Sequence, residues 1–370
     1  MRAPSTSTST HATAHVREGM PLHTPPVSAL SFGPEAALLP AGERSGTGVV
    51  ALRVLARLST ALYLCDLQSH IVCMVGEQVE DGPLTVRVSG ASMEALLAGA
   101  GAEAGVIKID LSSARRWTAE PPRTPAHVRA RLEAARALAD AVAQTPVALR
   151  PSGCTSLQAG PMAGCAPLAR YLSDDLLVRT GVPLTGAWGH GLLHRMAVHL
   201  HRFAMALAAS GAPVREASAT APLPDASVRV AAEALVGLLG LGPGLTPSGD
   251  DVVMGVLAAL VWQAWPGACA PPGLLSKAWV EELARSVRQA APRRTNRISA
   301  RLLWHAAAGV LHAPAMRVGA ALMAGDPDAV RREAPYLLAT GSTSGADLAV
   351  GLLVGTLCVA GGQHPASPGL

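Results

Sequence analysis

A glycine-rich segment with two adjacent aspartates is the part of this sequence best suited to chemistry. It spans residues 240–251 and reads Gly-Leu-Gly-Pro-Gly-Leu-Thr-Pro-Ser-Gly-Asp-Asp. Its glycines allow tight turns, while its two prolines restrict the chain. Ser248 has the spacing of a helix N-cap, with Asp251 three residues later. Because the first N–H groups of a helix lack internal partners and attract anions, we expect a preorganised loop around a polar ligand.

A similar pattern recurs 96 residues later, where 342–353 aligns with 246–257. Ser344, Gly345 and Asp347 occupy the positions of the serine, glycine and second aspartate of the first copy. The spacing predicts two helix–loop–helix units, related by a local pseudo-twofold axis, whose Asp251 and Asp347 approach a common cleft. An ordinary helix start with close helix packing explains the second copy equally well.

Six arginines between residues 285 and 301 form a second candidate feature, and no acidic residue interrupts them. Arg294 and Arg297 flank Thr295, and Ser299 follows. The guanidinium group is well suited to carboxylates and phosphates, so an anionic ligand or an acidic partner would fit this cluster. A solvated helix face is the alternative.

Other familiar sites are missing from the sequence. The glycine-rich loop lacks the lysine of a phosphate-binding P-loop, and a helix rather than a strand is predicted before it. His190 and His194 lack the glutamate of a zinc-protease motif, and the six cysteines show no zinc-site spacing. We therefore predict no metal site with protein ligands alone, although Mg²⁺ is a candidate companion for a phosphate held beside aspartates.

The elements around these residues predict an α+β protein: a small β-rich N-terminal region, then a larger, mainly helical C-terminal region with the two Gly/Ser-rich helix–loop–helix motifs. The predicted divisions are a disordered tail (1–45), a β-rich domain (46–122), a helical region (123–217), a helical domain (218–363) and a short tail (364–370). Helices are predicted at 126–143, 191–209, 227–239, 252–265, 279–289, 299–311 and 328–339, and after the loop 341–347.

Composition excludes several classes of function. Aromatic residues make up 3% of the chain and the net charge is +4, which is not typical of a nucleic-acid-binding protein. The longest apolar runs are interrupted by glycine and are shorter than the roughly 20 residues of a membrane span. With no signal peptide evident at the start, we expect a cytoplasmic protein with reduced thiols.

At the glycine-rich segment the sequence resembles the family of AllH-type subunits of oxamate carbamoyltransferase. The resemblance rests on the block 242–251, the Thr295–Ser299 element and the block Ser344–Asp347, within a similarity over roughly 48–361. It implies a bacterial role in anaerobic allantoin degradation, in a multi-subunit enzyme that converts oxalurate and phosphate to oxamate and carbamoyl phosphate. The implied partners are the other carbamoyltransferase subunits and small anions, namely phosphate, carbamoyl phosphate and oxamate.

The family supplies no assigned catalytic residues, so the expected site comes from the residues themselves. We expect Asp250, Asp251 and Asp347 to be catalytic. Substrate binding is assigned to Gly242, Gly244, Thr246, Ser248, Gly249, Arg294, Thr295, Arg297, Ser299, Ser344 and Gly345. The alternative function is a non-catalytic assembly or regulatory subunit that binds an acidic partner through the arginine cluster.

Overall fold

The computed structural model describes residues 26–39, 48–98, 105–120, 122, 126–144, 192–210, 226–264 and 276–361. Its first part is a β-barrel. The strands are Val27–Phe32 (β1), Val49–Arg57 (β2), Ala61–Cys65 (β3), Ile71–Gly76 (β4), Thr85–Val88 (β5), Val106–Asp110 (β6) and Arg115–Arg116 (β7). The sheet runs β5-β4-β3-β2-β6-β1-β7, and a further pairing of β5 with β1 closes six strands on themselves.

The period-two pattern of the strands separates the two faces of this barrel. Leu62 and Leu64 of β3 are fully buried in the apolar core of the barrel. Tyr63, between them, lies on the outer face and pairs in register with Cys73 of β4. The outer face of β3 and β4 therefore carries Tyr63 and Cys73, with Ala61 and Val75 next to them.

Ten α-helices are described. They are Gly90–Leu97 (α1), Val128–Gln144 (α2), Leu192–Ser210 (α3), Ala226–Leu238 (α4), Ser248–Ala264 (α5), Lys277–Arg294 (α6), Arg297–Ala306 (α7), Ala313–Ala324 (α8), Pro327–Leu338 (α9) and Ser344–Gly361 (α10). Helices α2 to α10 share a second apolar core, separate from that of the barrel.

Helices α5 and α10 lie side by side and cross at two glycines. A Cβ atom on Gly255 would lie 2.3 Å from the Leu348 carbonyl oxygen, and one on Gly351 would lie 2.1 Å from that of Val252. The two contacts are equivalent in the repeat, because Leu348 lies 96 residues after Val252 and Gly351 lies 96 residues after Gly255. The helices can approach this closely only because both crossing residues lack a side chain.

Ion pairs and a backbone hydrogen bond hold the barrel against the helices. Glu35, fully buried, accepts hydrogen bonds from Arg301 Nε at 2.6 Å and pairs with His305 Nε2 at 2.9 Å. Farther along the interface, Arg317 of α8 binds Glu80, with Nη2 to Oε1 at 2.7 Å. The Ala313 amide donates to the Asp81 carbonyl at 2.8 Å. These contacts fix the gap between the two parts of the molecule.

The α+β class and the order of its two regions are as expected from the sequence. The structure corrects the predicted tail, because Val27–Phe32 forms β1, with Ala29 buried in the core of the barrel. It also corrects the predicted helix 299–311, since α7 ends at Ala306 and Gly309 has a φ of 76°. Helix α8 was not predicted. Residues 1–25, 145–191 and 362–370, with His190, lie outside the described residues.

Candidate functional site

Asp250 anchors the glycine-rich loop. One oxygen of its carboxylate accepts the Gly240 amide at 2.8 Å, and the other accepts the Thr295 hydroxyl. The side-chain amide of Asn296 donates to the Leu245 carbonyl in the same loop at 2.9 Å. The junction between α6 and α7 thus fixes the loop, and Asp250 is fully buried as part of that connection.

Burial raises the pKa of Asp250, against the opposing effect of hydrogen bonds from Thr295, Gly240 and Ser299. Since both oxygens already accept hydrogen bonds, Asp250 is placed to position the loop rather than to contact a substrate. The predicted Mg²⁺ companion gains no support from a carboxylate engaged in this way.

Three backbone amides at the start of α5, those of residues 249–251, are already hydrogen-bonded within the chain. The Gly249 amide donates to the Leu241 carbonyl at 2.8 Å, and those of Asp250 and Asp251 donate to the Pro247 carbonyl at 2.8 and 3.2 Å. These groups were expected to hold phosphate or carboxylate. The structure corrects that expectation for these three amides, because carbonyl oxygens of the folded loop accept their hydrogen bonds.

The start of α10 behaves in the same way. The Gly345 amide donates to the Thr340 carbonyl at 3.0 Å, and the Asp347 amide to that of Thr343 at 2.9 Å. A Cβ atom on Gly345 would lie 2.0 Å from the Leu337 carbonyl oxygen, so this glycine allows close packing of α10 on α9. A Cβ atom on Gly249 would likewise lie 2.0 Å from the Leu238 carbonyl oxygen.

Asp251 and Glu80 are the acidic residues that contribute to the wall of a cavity, and Asp251 is the one at a helix start. It is 2% exposed and its Oδ2 has no hydrogen-bond partner within the described parts of the chain. Burial raises its pKa well above the usual range; the hydroxyls of Ser344 and Thr246 oppose this shift, while the charges of Asp347 and Asp250 add to it. We therefore expect the Asp251 carboxyl group to retain its proton at pH values above those at which aspartate is ordinarily ionised.

The two helix starts meet at this residue. Thr246 Oγ1 and Ser344 Oγ are 2.9 Å apart, so the loops before α5 and α10 touch. The expectation that Asp251 and Asp347 approach each other is consistent with this contact and with the effect of Asp347 on Asp251. Asp347 itself is fully buried.

A cavity of about 980 Å³ lies between the outer face of the barrel and these helix starts. Tyr63, Cys73 and the segment 78–85 contribute to its wall from the barrel, and the segments 243–246 and 339–344 from the helical part. The described lining includes no arginine or lysine. Burial lowers the pKa of His312, also in the wall, to about 4, so this histidine is neutral at pH 7.

The cavity brings together part of the predicted site. Its wall includes Gly244, Thr246, Ser248, Asp251 and Ser344. The other predicted residues do not line it: Gly242, Gly249, Asp250, Arg294, Thr295, Arg297, Ser299, Gly345 and Asp347. Arg294 and Arg297 are exposed on α6 and α7, outside the cavity wall.

Sequence reasoning missed Tyr63 and Cys73. Strand alternation could have placed both on one face of the sheet, but only the packing of the barrel on the helices shows that this face meets Asp251. Within the described residues, no group of three or more His, Cys, Asp or Glu side chains is arranged to hold a metal ion. None of the described helices has the length and apolar character that crossing a membrane requires.

Comparison with known proteins agrees with the sequence motifs. No curated protein and no solved structure matches the chain. The segment that does match a known family contains the glycine-rich loop, α5 to α9 and most of α10. Residues 238–356 match the family described as oxamate carbamoyltransferase subunit AllH, which confirms over this segment the resemblance expected from the motifs.

Proposed function

We propose that this chain is a carbamoyltransferase subunit whose cavity holds the carboxamide or ureido end of the substrate against Asp251. The family match over 238–356 supports a subunit of oxamate carbamoyltransferase. The observation that carries the assignment of the site is the Asp251 carboxyl group, which is buried, lines the cavity and has an Oδ2 without a partner.

The polar groups of the cavity suit an amide better than a dianion. A carboxamide presents a carbonyl acceptor and N–H donors, and a protonated carboxyl group offers the complementary donor and acceptor. The hydroxyls of Thr246 and Ser344 add groups that can donate or accept. A phosphate dianion would meet helix starts at which the amides of residues 249–251, Gly345 and Asp347 are already hydrogen-bonded, and no arginine or lysine in the described wall.

Asp251 would act on the nitrogen of the substrate during transfer. In the direction from oxalurate, a phosphate oxygen forms a bond to the carbamoyl carbon, and the bond from that carbon to the oxamate nitrogen breaks. The departing nitrogen needs a proton, which the Asp251 carboxyl group would donate. In the reverse direction the carboxylate would take a proton from the oxamate amide. A raised pKa favours a carboxyl group that must both donate and accept a proton.

The charged phosphate would be held by groups outside this wall, and we propose that another carbamoyltransferase subunit supplies them. This division is consistent with the family match, whose description is that of a subunit. The test is formation of carbamoyl phosphate from oxalurate and phosphate by the reconstituted subunits, with and without this chain. Activity should require the chain. Equal activity without it would exclude the proposed role.

An exposed positive surface favours the second function, an assembly subunit. Arg288, Arg293, Arg294 and Arg297, here called the arginine face, are exposed and form no ion pair with described residues. Trp304, farther along α7, is 40% exposed. Arginine and tryptophan are enriched at interface hot spots, so this surface suits an acidic region of a partner subunit.

Charge reversal separates the two functions. Arg293→Glu together with Arg294→Glu should weaken assembly with the other subunits by about tenfold or more, and less so at high salt. The matched control reverses two exposed arginines on α2, Arg129 and Arg136. Assembly would be measured by size-exclusion chromatography. Unchanged assembly in the first variant would assign the arginine face to ordinary solvation.

A further inference from the structure

Tyr63 lies on the outer face of β3, where the barrel meets the cavity. Its neighbours along the strand, Leu62 and Leu64, are buried inside the barrel, so alternation fixes Tyr63 on the opposite side. It contributes to the same cavity wall as Asp251, although the two residues are 188 positions apart in the sequence. The opposing walls therefore each present a polar side chain.

The surroundings of Tyr63 keep its phenol protonated. Burial raises the pKa of Tyr63 most, and Cys73 and then Asp251 add to the shift. Burial also raises the pKa of the Cys73 thiol to about 12, so this residue is a neutral partner for the phenol rather than a nucleophile.

Cys73 pairs in register with Tyr63 across the two strands, and the phenol lies close enough to donate to the sulfur. The neutral sulfur of Cys73 is a weak acceptor, so the phenol O–H can turn from it to a stronger acceptor. In the cavity that acceptor can be a ligand that also contacts Asp251, whose Oδ2 has no partner among the described atoms. A phenol on one side and a carboxyl group on the other match the carbonyl oxygen and the N–H of an amide.

We infer that Tyr63 completes the substrate site by donating a hydrogen bond to the carbonyl oxygen of a small amide or ureide that Asp251 holds by its nitrogen. This inference rests on the proposed function. It assigns a direct role to the barrel, which lies outside the segment 238–356 that matches the family.

The three tyrosines of the chain, Tyr63, Tyr171 and Tyr336, make a direct test feasible. The full-length chain is labelled with ¹³C at the ζ carbon of tyrosine, whose chemical shift reports hydrogen bonding of the phenol, and is titrated with oxamate. Tyr63→Phe and Tyr336→Phe assign the signals. The Tyr63 signal should move on titration and the Tyr336 signal should stay, because Tyr336, although it also contributes to the cavity wall, is 59% exposed.

Calorimetry on the same preparations measures affinity. Tyr63→Phe should weaken oxamate binding about 2- to 12-fold, the loss expected for one neutral hydrogen bond, while Tyr336→Phe should leave it unchanged. Thermal melts within a few degrees of the wild type would show that both variants are folded. Oxamate binding with an unmoved Tyr63 signal would overturn the role of Tyr63 and leave the proposed function intact. A wild-type chain that does not bind oxamate would overturn both.

Discussion

Asp251→Asn is expected to separate the chemistry of the site from its folding. Asparagine keeps the size of the side chain and a carbonyl oxygen for the hydroxyls of Ser344 and Thr246, but it cannot give up or accept the transferred proton. Because Oδ2 has no partner in the described structure, the variant breaks no hydrogen bond seen there. Carbamoyl transfer should fall about a hundredfold or more, about 2.7 kcal/mol of transition-state stabilisation.

The stability of the variant has a pH dependence whose sign follows from burial. The pKa of Asp251 is higher in the folded chain than in the unfolded chain, so the folded state binds the extra proton between the two values. Stability of the wild type should therefore fall as pH rises above about 4, by up to about 1.4 kcal/mol per pH unit within that window. The variant lacks this loss, so its melting temperature relative to wild type should rise from pH 4 to pH 7.

Asp250→Asn is the matched control. It alters the carboxylate that accepts the Gly240 amide and the Thr295 hydroxyl, so it should lower stability by about 1–3 kcal/mol. The assays are a thermal melt and a carbamoyl-transfer measurement on each preparation. Full activity of Asp251→Asn, with a melting temperature lowered equally at all pH values, would refute the reasoning and make Asp251 a helix cap.

Two further predictions concern the frame of the site. Gly255→Ala places a Cβ atom 2.3 Å from the Leu348 carbonyl oxygen and should cost about 1–3 kcal/mol in urea unfolding, whereas Gly90→Ala, whose added Cβ has 3.5 Å to its nearest atom, should be nearly neutral. Equal stability of the two variants would show that the crossing relaxes freely. Glu35→Gln should cost about 1–3 kcal/mol, because it removes the charge facing Arg301. The pKa of Glu35 is lowered in the folded chain, so the stabilisation of the fold by its charge is present above about pH 4.5 and is lost as the pH falls below that value. A destabilisation by Glu35→Gln that grew as the pH fell would contradict this assignment.

The local patterns of the sequence predicted the starts of α5 and α10, because Ser248 and Asp251, and likewise Ser344 and Asp347, are spaced as helix N-termini. Gly255 and Gly351, where the two helices cross, likewise lie four residues after Asp251 and Asp347 in the two copies of the repeat. These features depend on neighbours in the chain, and sequence reasoning reaches them.

The features that sequence reasoning missed depend on contacts between residues far apart in the chain. The helix-start rule assigns free amides to Gly249, but it cannot see that the loop returns the Leu241 carbonyl to that amide. It cannot tell that Asp250 is tied to Thr295 while Asp251 faces a cavity. Tyr63 was missed for the same reason, since strand alternation fixes its face but not what lies opposite.

Helix α8 and strand β1 were not predicted, because the residue types at the start of the helix and before the strand are not typical of a helix or a strand. Pro314 suggests a break, yet it lies in the first turn of α8, where the missing amide costs nothing. The segment Val27–Phe32 follows a long Ser/Thr/Pro-rich stretch and was assigned to the same tail. Its pairing with β5 and β6 is long-range, so no local pattern reveals it.

The most direct test of the central claim is the position of oxamate in a crystal structure of the full-length chain. The account predicts oxamate in the cavity between the barrel and the starts of α5 and α10, with its amide nitrogen about 2.7–3.2 Å from Asp251 Oδ2. Oxamate bound instead on the arginine face, with the cavity free of it, would contradict the claim.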